Sequence, residues 1–303
     1  MKCFMMFPGQ GSQFEGMLSE VSAEDKQLVE RLTGVHMTDT NEQYRSTIGI
    51  QLGLLLKQVS EAREILAEGF TPSNVAGHSI GSFSAAVIAG SLSFEDAIKL
   101  VHLRSRLMAE AYPDSYGMAA VVGLLKNELV PIVEAATTSE EPVYLSNENA
   151  PQQFTISGHI NALNRVIKSA SQSGASKAIL LAVPTPSHCP LMSGVRDALA
   201  LALEQVTIKD PNCLYFMNHT GLGTNLAKDV KKDLIEGVAS PVKWDIMSKI
   251  ALENRMDLAV DIGPGETLTK LIQAQDDSLK VINVSKLGVD DALYVLNKER
   301  KKY

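Results

Sequence analysis

The sequence predicts an α/β protein in which a complete small βαββαβ unit is inserted into a larger α/β frame, and three observations carry that reading. Short apolar segments run into glycine-containing loops at Phe4 to Phe7, at Val75-Ala76-Gly77 and at Leu258 to Ile262, the look of buried strands ending in tight turns. Helical segments separate them. Between Gly117 and Val183 the pattern changes to strand, helix, strand, strand, helix, strand, the ferredoxin-like order. A length of 303 residues is about twice a common domain and allows such an insertion.

Taken in order, the first strand feeds Pro8-Gly9-Gln10-Gly11-Ser12-Gln13. Residues 47 to 68 read as helical. Val75 to Gly77 is a strand before Ser79, Gly81 to Ala89 a helix stopped by Gly90, and Ser93-Phe94-Glu95-Asp96 a capping box opening the next helix. In the inserted unit the strands are Gly117 to Leu124, Val143 to Asn147, Gln153 to Ser157 and Lys177 to Val183, with helices at Lys126 to Thr137 and Ile160 to Ser173. The expected division is 1–116 with 188–303 for the larger part and 117–187 for the smaller. Lys298 to Tyr303 reads as a solvated charged tail.

Composition narrows the function. Apolar residues at 45% and charged residues at 21% are the balance of a globular chain. A formal charge of −7 argues against nucleic acid as a partner, because phosphate contacts need a basic face. The three cysteines, Cys3, Cys189 and Cys213, have no paired or metal-ligand spacing, which points to a reducing cytoplasm and to no metal site. No apolar run approaches the roughly 20 residues of a membrane span, and Pro8-Gly9 interrupts the N-terminal run before a signal-peptide core forms.

Gly77-His78-Ser79-Ile80-Gly81 matches G-x-S-x-G in its proper setting, after a strand and before a helix. A serine on so sharp a turn needs residues without bulk two positions to either side, and the helix N-terminus offers N–H groups to an oxyanion. Six histidines compete as its base. His188 is best placed: it follows an apolar run and lies among Pro184, Pro186 and Pro190, which stiffen the backbone around a group that must stay at hydrogen-bond reach. A buried structural histidine is the plain alternative, and His219 is the second choice. Arg104 falls on the apolar stripe of its helix with Phe94, Ala97, Ile98, Val101 and Met108. A guanidinium there needs an anion, either an internal acid or a substrate carboxylate held by two bonds.

With these segments in this order, and with Pro241-Val242-Lys243-Trp244 and Gly263-Pro264-Gly265 after them, the chain resembles the malonyl-CoA:acyl-carrier-protein transacylases over nearly its whole length. The resemblance implies an α/β-hydrolase-like large subdomain with a ferredoxin-like small one. It also implies Ser79 as nucleophile, His188 as base, Arg104 as partner of the malonyl carboxylate, and Gln10 with the Ile80 N–H as oxyanion hole. A backbone carbonyl between Gly237 and Pro241 would orient the histidine, and Asn149, expected just after the second strand of the small unit, would line the cleft.

The implied substrate is malonyl-CoA, with no bound cofactor, and the implied partner is an acyl carrier protein. Ser82 stands where fatty-acid-synthesis members commonly carry an acidic residue. With the segment Thr47 to Leu55 and the compact length, it makes the chain look most like the epsilon subunit of malonate decarboxylase, whose other subunits are then further partners. Alternatives are a fatty-acid or polyketide transacylase, an α/β-hydrolase esterase and a non-catalytic carrier-docking subunit. The esterase order puts its histidine late in the chain, whereas no histidine follows His219. Lys231, Lys232, Lys243 and Lys249 are the candidate basic patch for an acidic carrier.

Overall fold

In the computed structural model, which describes every residue except Pro113, Pro184 and Tyr303, strand β1 (Cys3–Phe7) is buried at all its positions. The reason is a sheet covered on both faces. Cys3, Met5 and Phe7 point into one apolar cluster, while Phe4 and Met6 point into another with Trp244, Met247 and Leu268. After β1 the chain forms α1 (Ala23–Thr33), α2 (Thr47–Ala67), β2 (Asn74–Gly77), α3 (Gly81–Ile88) and α4 (Phe94–Ala111). Helix α2 is buried along most of its length, with Gln51, Lys57, Gln58 and Glu61 buried among its apolar residues. Ser93 caps α4 by accepting from the Asp96 N–H, as the capping-box reading requires.

The chain then crosses into a second sheet through β3 (Tyr116–Val122), α5 (Lys126–Ala136), β4 (Val143–Ala150), β5 (Gln153–His159), α6 (Ile160–Gln172) and β6 (Lys177–Leu180). This is the βαββαβ order. Its four strands lie side by side as β4-β5-β3-β6, every pair antiparallel. Alternation splits the faces: Ala119, Val121, Phe154 and Ile156 pack with α5 and α6, leaving Met118, Ala120, Gln153 and Thr155 to line a cavity on the other side. Asn149 lies within β4, not after it, because the strand continues past Asn147 through an irregular register.

The return passes through α7 (Ser193–Leu203), β7 (Leu214–Phe216), β8 (Gly223–Thr224), α8 (Ala227–Glu236), α9 (Trp244–Glu253), β9 (Leu258–Asp261), α10 (Thr267–Gln273), β10 (Lys280–Asn283), α11 (Val284–Leu287) and α12 (Val289–Arg300). The larger sheet has the order β10-β9-β1-β2-β7-β8. All its pairs are parallel except β7 with β8. Loops at the carboxyl ends of β1, β2, β7 and β9 therefore converge, the usual location of a site in such a sheet. Val242, in the segment just before α9, forms a parallel bridge to Asn147, tying the smaller sheet to the larger part.

The charged C-terminus is exposed at Lys298, Arg300, Lys301 and Lys302, as expected of a solvated tail, but side-chain contacts tie it to the fold. Residues up to Arg300 belong to α12, Glu299 pairs with Lys280 and Lys302, and the Arg300 guanidinium lies 4.5 Å from the centre of the Phe70 ring. Tyr303 is outside the described residues. No helix among the described residues is long and apolar enough to cross a membrane.

Two glycines set how closely these parts approach. A Cβ on Gly77 would lie 2.0 Å from the Gly81 carbonyl carbon, and one on Gly81 would lie 2.1 Å from the Phe7 oxygen. Both obstacles are backbone and cannot swing away. Gly77→Ala and Gly81→Ala should each lower stability in denaturant unfolding by at least about 2 kcal/mol, toward the upper part of the range for overpacked sites. At Gly194, in α7, a Cβ would meet nothing within 4 Å, and alanine there should instead gain about 0.5–1 kcal/mol.

Candidate active site

The turn between β2 and α3 carries Ser79 at φ 56°, a left-handed conformation that non-glycine residues adopt only when their surroundings enforce it. Three bonds enforce it here. His78 N–H donates to the Phe7 carbonyl at 2.8 Å. Asn218, just beyond β7, accepts from the Ser79 N–H at 2.9 Å and donates to the Gly77 carbonyl at 2.8 Å. One buried amide thus brackets the turn on both sides and points Ser79 Oγ away from the sheet. Reading residues singly missed Asn218, because its role depends on β7 lying beside β2.

Ser79 Oγ lies 2.7 Å from Nε2 of His188. His188 is itself at φ 61° and buried, and its backbone N–H donates to the Val238 carbonyl. Its Nδ1 is 2.6 Å from the Gly237 carbonyl. A carbonyl can only accept, so Nδ1 carries the proton and Nε2 is left to accept from Ser79. Of the prolines expected to stiffen this segment, Pro184 is outside the described residues, and Pro190 opens a short 3₁₀ turn. Burial, and after it the Arg104 charge, lowers the His188 pKa to about 3.

Arg104 is 2% exposed. It donates through Nη2 to Ser79 Oγ at 3.1 Å and through Nη1 to Gln51 Oε1 at 2.5 Å. Among the described residues it has no acid partner, so the internal ion pair that could have explained its position is not formed. Burial lowers its pKa to about 10, and it stays charged. The stripe mates Phe94, Ala97, Ile98, Val101 and Met108 are all buried with it, whereas Arg106 points out toward Glu110. Gln51 was missed in the sequence; the available signal was a glutamine inside the apolar run of α2.

A cavity of about 270 Å³ opens in front of Ser79. Its walls include Gln10 and His188 from the larger part and Asn147, Asn149, Gln153 and Thr155 from the smaller sheet. Among the described residues, the backbone N–H groups of Gln10 and Ile80 have no acceptor. Both flank Ser79 as donors that could serve an oxyanion. Asn149 Oδ1 accepts from His78 Nε2–H at 3.0 Å, linking the small sheet to the serine turn.

Three of the other histidines are engaged elsewhere. His219 pairs with Asp233 at 2.8 Å, while His159 caps α6. His36 faces Glu30 at the surface.

A family model described as acyl transferase domain matches residues 4–289. A malonyl CoA-acyl carrier protein transacylase of Haemophilus influenzae is 35% identical, with 96% of this chain and 98% of that protein covered. The one from Bacillus subtilis is 32% identical, with 94% and 93% covered. Among solved structures, the malonyl CoA-acyl carrier protein transacylase of Coxiella burnetii superposes with a TM-score of 0.92 at 30% identity, covering 98% of each chain. A malonyl-transacylase in complex with its type II PKS acyl-carrier protein gives 0.91 at 30% identity, covering 97% of this chain and 100% of that one. The chain therefore belongs to the acyl transferase domain family, alongside the malonyl CoA-acyl carrier protein transacylases.

Proposed function

We propose that the chain is a malonyl-CoA:acyl-carrier-protein S-malonyltransferase working through a malonyl-serine intermediate. The observation that carries this reading is the meeting of a histidine base and a buried, acid-free guanidinium on one serine oxygen. An esterase needs the first and has no use for the second.

Ser79 Oγ attacks the thioester carbonyl carbon while its proton passes to His188 Nε2. The negative charge that develops on the carbonyl oxygen is met by the Gln10 and Ile80 N–H groups. The carbon–sulfur bond then breaks, CoA sulfur takes the proton back from His188, and a malonyl ester remains on Ser79. In the second half the carrier's thiol gives its proton to His188 and attacks the ester, and the proton returns to Ser79 Oγ. The malonyl carboxylate pairs with the two terminal nitrogens, Nη1 and Nη2, of Arg104. That pairing also offsets the positive charge that depresses His188, so the correct substrate makes the base stronger.

The same proposal extends to the subdomains and the carrier. The larger sheet with its helices, 1–116 and 188–303, is the α/β-hydrolase-like subdomain, and 117–187 the ferredoxin-like one, supported by the β4-β5-β3-β6 order. The role as epsilon subunit of malonate decarboxylase is supported by Ser82, buried behind Ser79. Transfer to a decarboxylase's dedicated carrier in preference to a fatty-acid-synthesis carrier would bear it out, and the reverse preference would remove it. The carrier-docking patch is smaller than its four lysines suggest, because Lys243 pairs with Glu148 and Lys249 with Asp245.

Mass spectrometry after incubation with malonyl-CoA should find one malonyl group on the peptide containing Ser79, and none in Ser79→Ala. In rapid-quench acylation, His188→Ala should be slower by at least about 10²-fold, the scale of a lost general base.

Replacing Arg104 by alanine removes the partner of the substrate carboxylate. The ratio of kcat/KM for malonyl-CoA over acetyl-CoA should fall by about 10²- to 10³-fold, the equivalent of roughly 3–4 kcal/mol. Arg104→Lys should fall between, since it keeps the charge and loses the fork.

The pH profile follows from the depressed base. A histidine with its folded pKa near 3 is already neutral at pH 5, so lowering the pH from 8 to 5 does not protonate it. The kcat/KM for acylation, which reports the free enzyme, should change by less than about twofold over that range, and an inflection near 6.5, the ordinary histidine value, would contradict the arrangement.

A further inference from the structure

Beneath the site, Gln51 and Gln58 lie two turns apart on α2 and so share a face. Gln51 binds Arg104 and donates to the Gln10 side chain at 3.1 Å. Gln58 does not touch the cavity. It is wholly buried, and it donates through Nε2 to the Pro8 carbonyl at 2.7 Å while its Oε1 accepts from the Ser84 hydroxyl at 2.6 Å. The Pro8 carbonyl can only accept, which sets the direction of the amide.

These two partners belong to the two pieces of chain that carry the oxyanion donors. Pro8 lies two residues before Gln10, and Ser84 lies on α3, whose first turn begins beside Ile80. Among the described residues, the backbone from Gly9 to Gly11 makes no bond outside its own loop. The loop therefore hangs from α2 by Gln51 at its tip and Gln58 at its root. A third strand-end loop closes over the amide: a Cβ on Gly263 would lie 2.8 Å from Gln58 Cγ. A buried amide is costly unless both its ends are paired, and here both are paired to segments of the site.

We infer that Gln58 is a positioning residue that, through the Pro8 carbonyl, holds the Gln10 N–H at the distance from the Ile80 N–H that the oxyanion requires. The inference rests on the malonyl-transfer reading above. A donor misplaced by about 1 Å can cost on the order of 10²-fold in rate, and the effect should fall on the chemical step, because Gln58 contacts neither the carboxylate site nor the cavity.

The test is steady-state kinetics of Gln58→Met with malonyl-CoA and acetyl-CoA, well below the unfolding temperature, together with mass analysis of wild-type acylation. The expected result is a kcat lower by about 30- to 100-fold, with KM for malonyl-CoA within about threefold of wild type and the malonyl-to-acetyl preference unchanged. Gln58→Asn, polar but one methylene shorter, should show the same split and serves if the methionine variant does not fold. Ser84→Ala, which leaves the bond to Pro8 in place, should keep at least about a third of kcat. A Gln58 variant with kcat within threefold of wild type would overturn the inference. So would a rise in KM matching the fall in kcat, or a loss in Ser84→Ala as large as in Gln58→Met. Absence of malonyl-Ser79 in the wild type would instead overturn the functional reading itself, and the inference with it.

Discussion

Gly81 sits with its Cα against the Phe7 carbonyl, leaving no room for a side chain, and the arrangement of the site depends on that approach. It lets α3 start directly over the end of β1, which brings the Gln10 loop within reach of the serine turn. It also forces the chain through a left-handed residue at Ser79. The strain, of order 1–3 kcal/mol, is held by the Asn218 bracket and by the Phe7 carbonyl. Ser79 Oγ is thus fixed by backbone and by a neighbouring strand, not by its own side-chain packing.

Around that fixed oxygen the larger part of the fold arranges two opposite requirements. His188 must be a neutral acceptor, and the Gly237 carbonyl on its far nitrogen ensures this. Arg104 must stay charged in a buried place, and the Gln51 carbonyl oxygen and Ser79 Oγ solvate it without neutralising it. An internal acid at that position would have been more stable and would have closed the site to a carboxylate. The guanidinium is held by neutral groups, which in the proposed reaction would give way to an anionic substrate more readily than a carboxylate would.

The smaller sheet supplies the opposite wall of the cavity. Its apolar face is spent on α5 and α6, so its other face is free to carry Asn147, Gln153 and Thr155 toward the serine. The Val242 bridge and the His78–Asn149 bond hold that wall to the larger part at two points, both beside the site. Glu148, between Lys126 and Lys243, adds a charged tie at the same seam.

Local pattern was enough for much of this. The alternation and turn residues of 117–183 determined the βαββαβ order, G-x-S-x-G determined a serine on a sharp turn, and the helical period alone put Arg104 on a buried stripe, because each depends on near neighbours in the chain. Tertiary structure decided what depends on strands that are adjacent only in space. It selected His188 over His219, which Asp233 engages, and chose Gly237 among the carbonyls near His188. It gave Asn218, Gln51 and Gln58 their partners, and it extended β4 through Asn149. Glutamines in an apolar helix and an asparagine after a strand have no periodic signature. Their meaning is a hydrogen bond to a distant segment, and only the folded chain brings the two ends together.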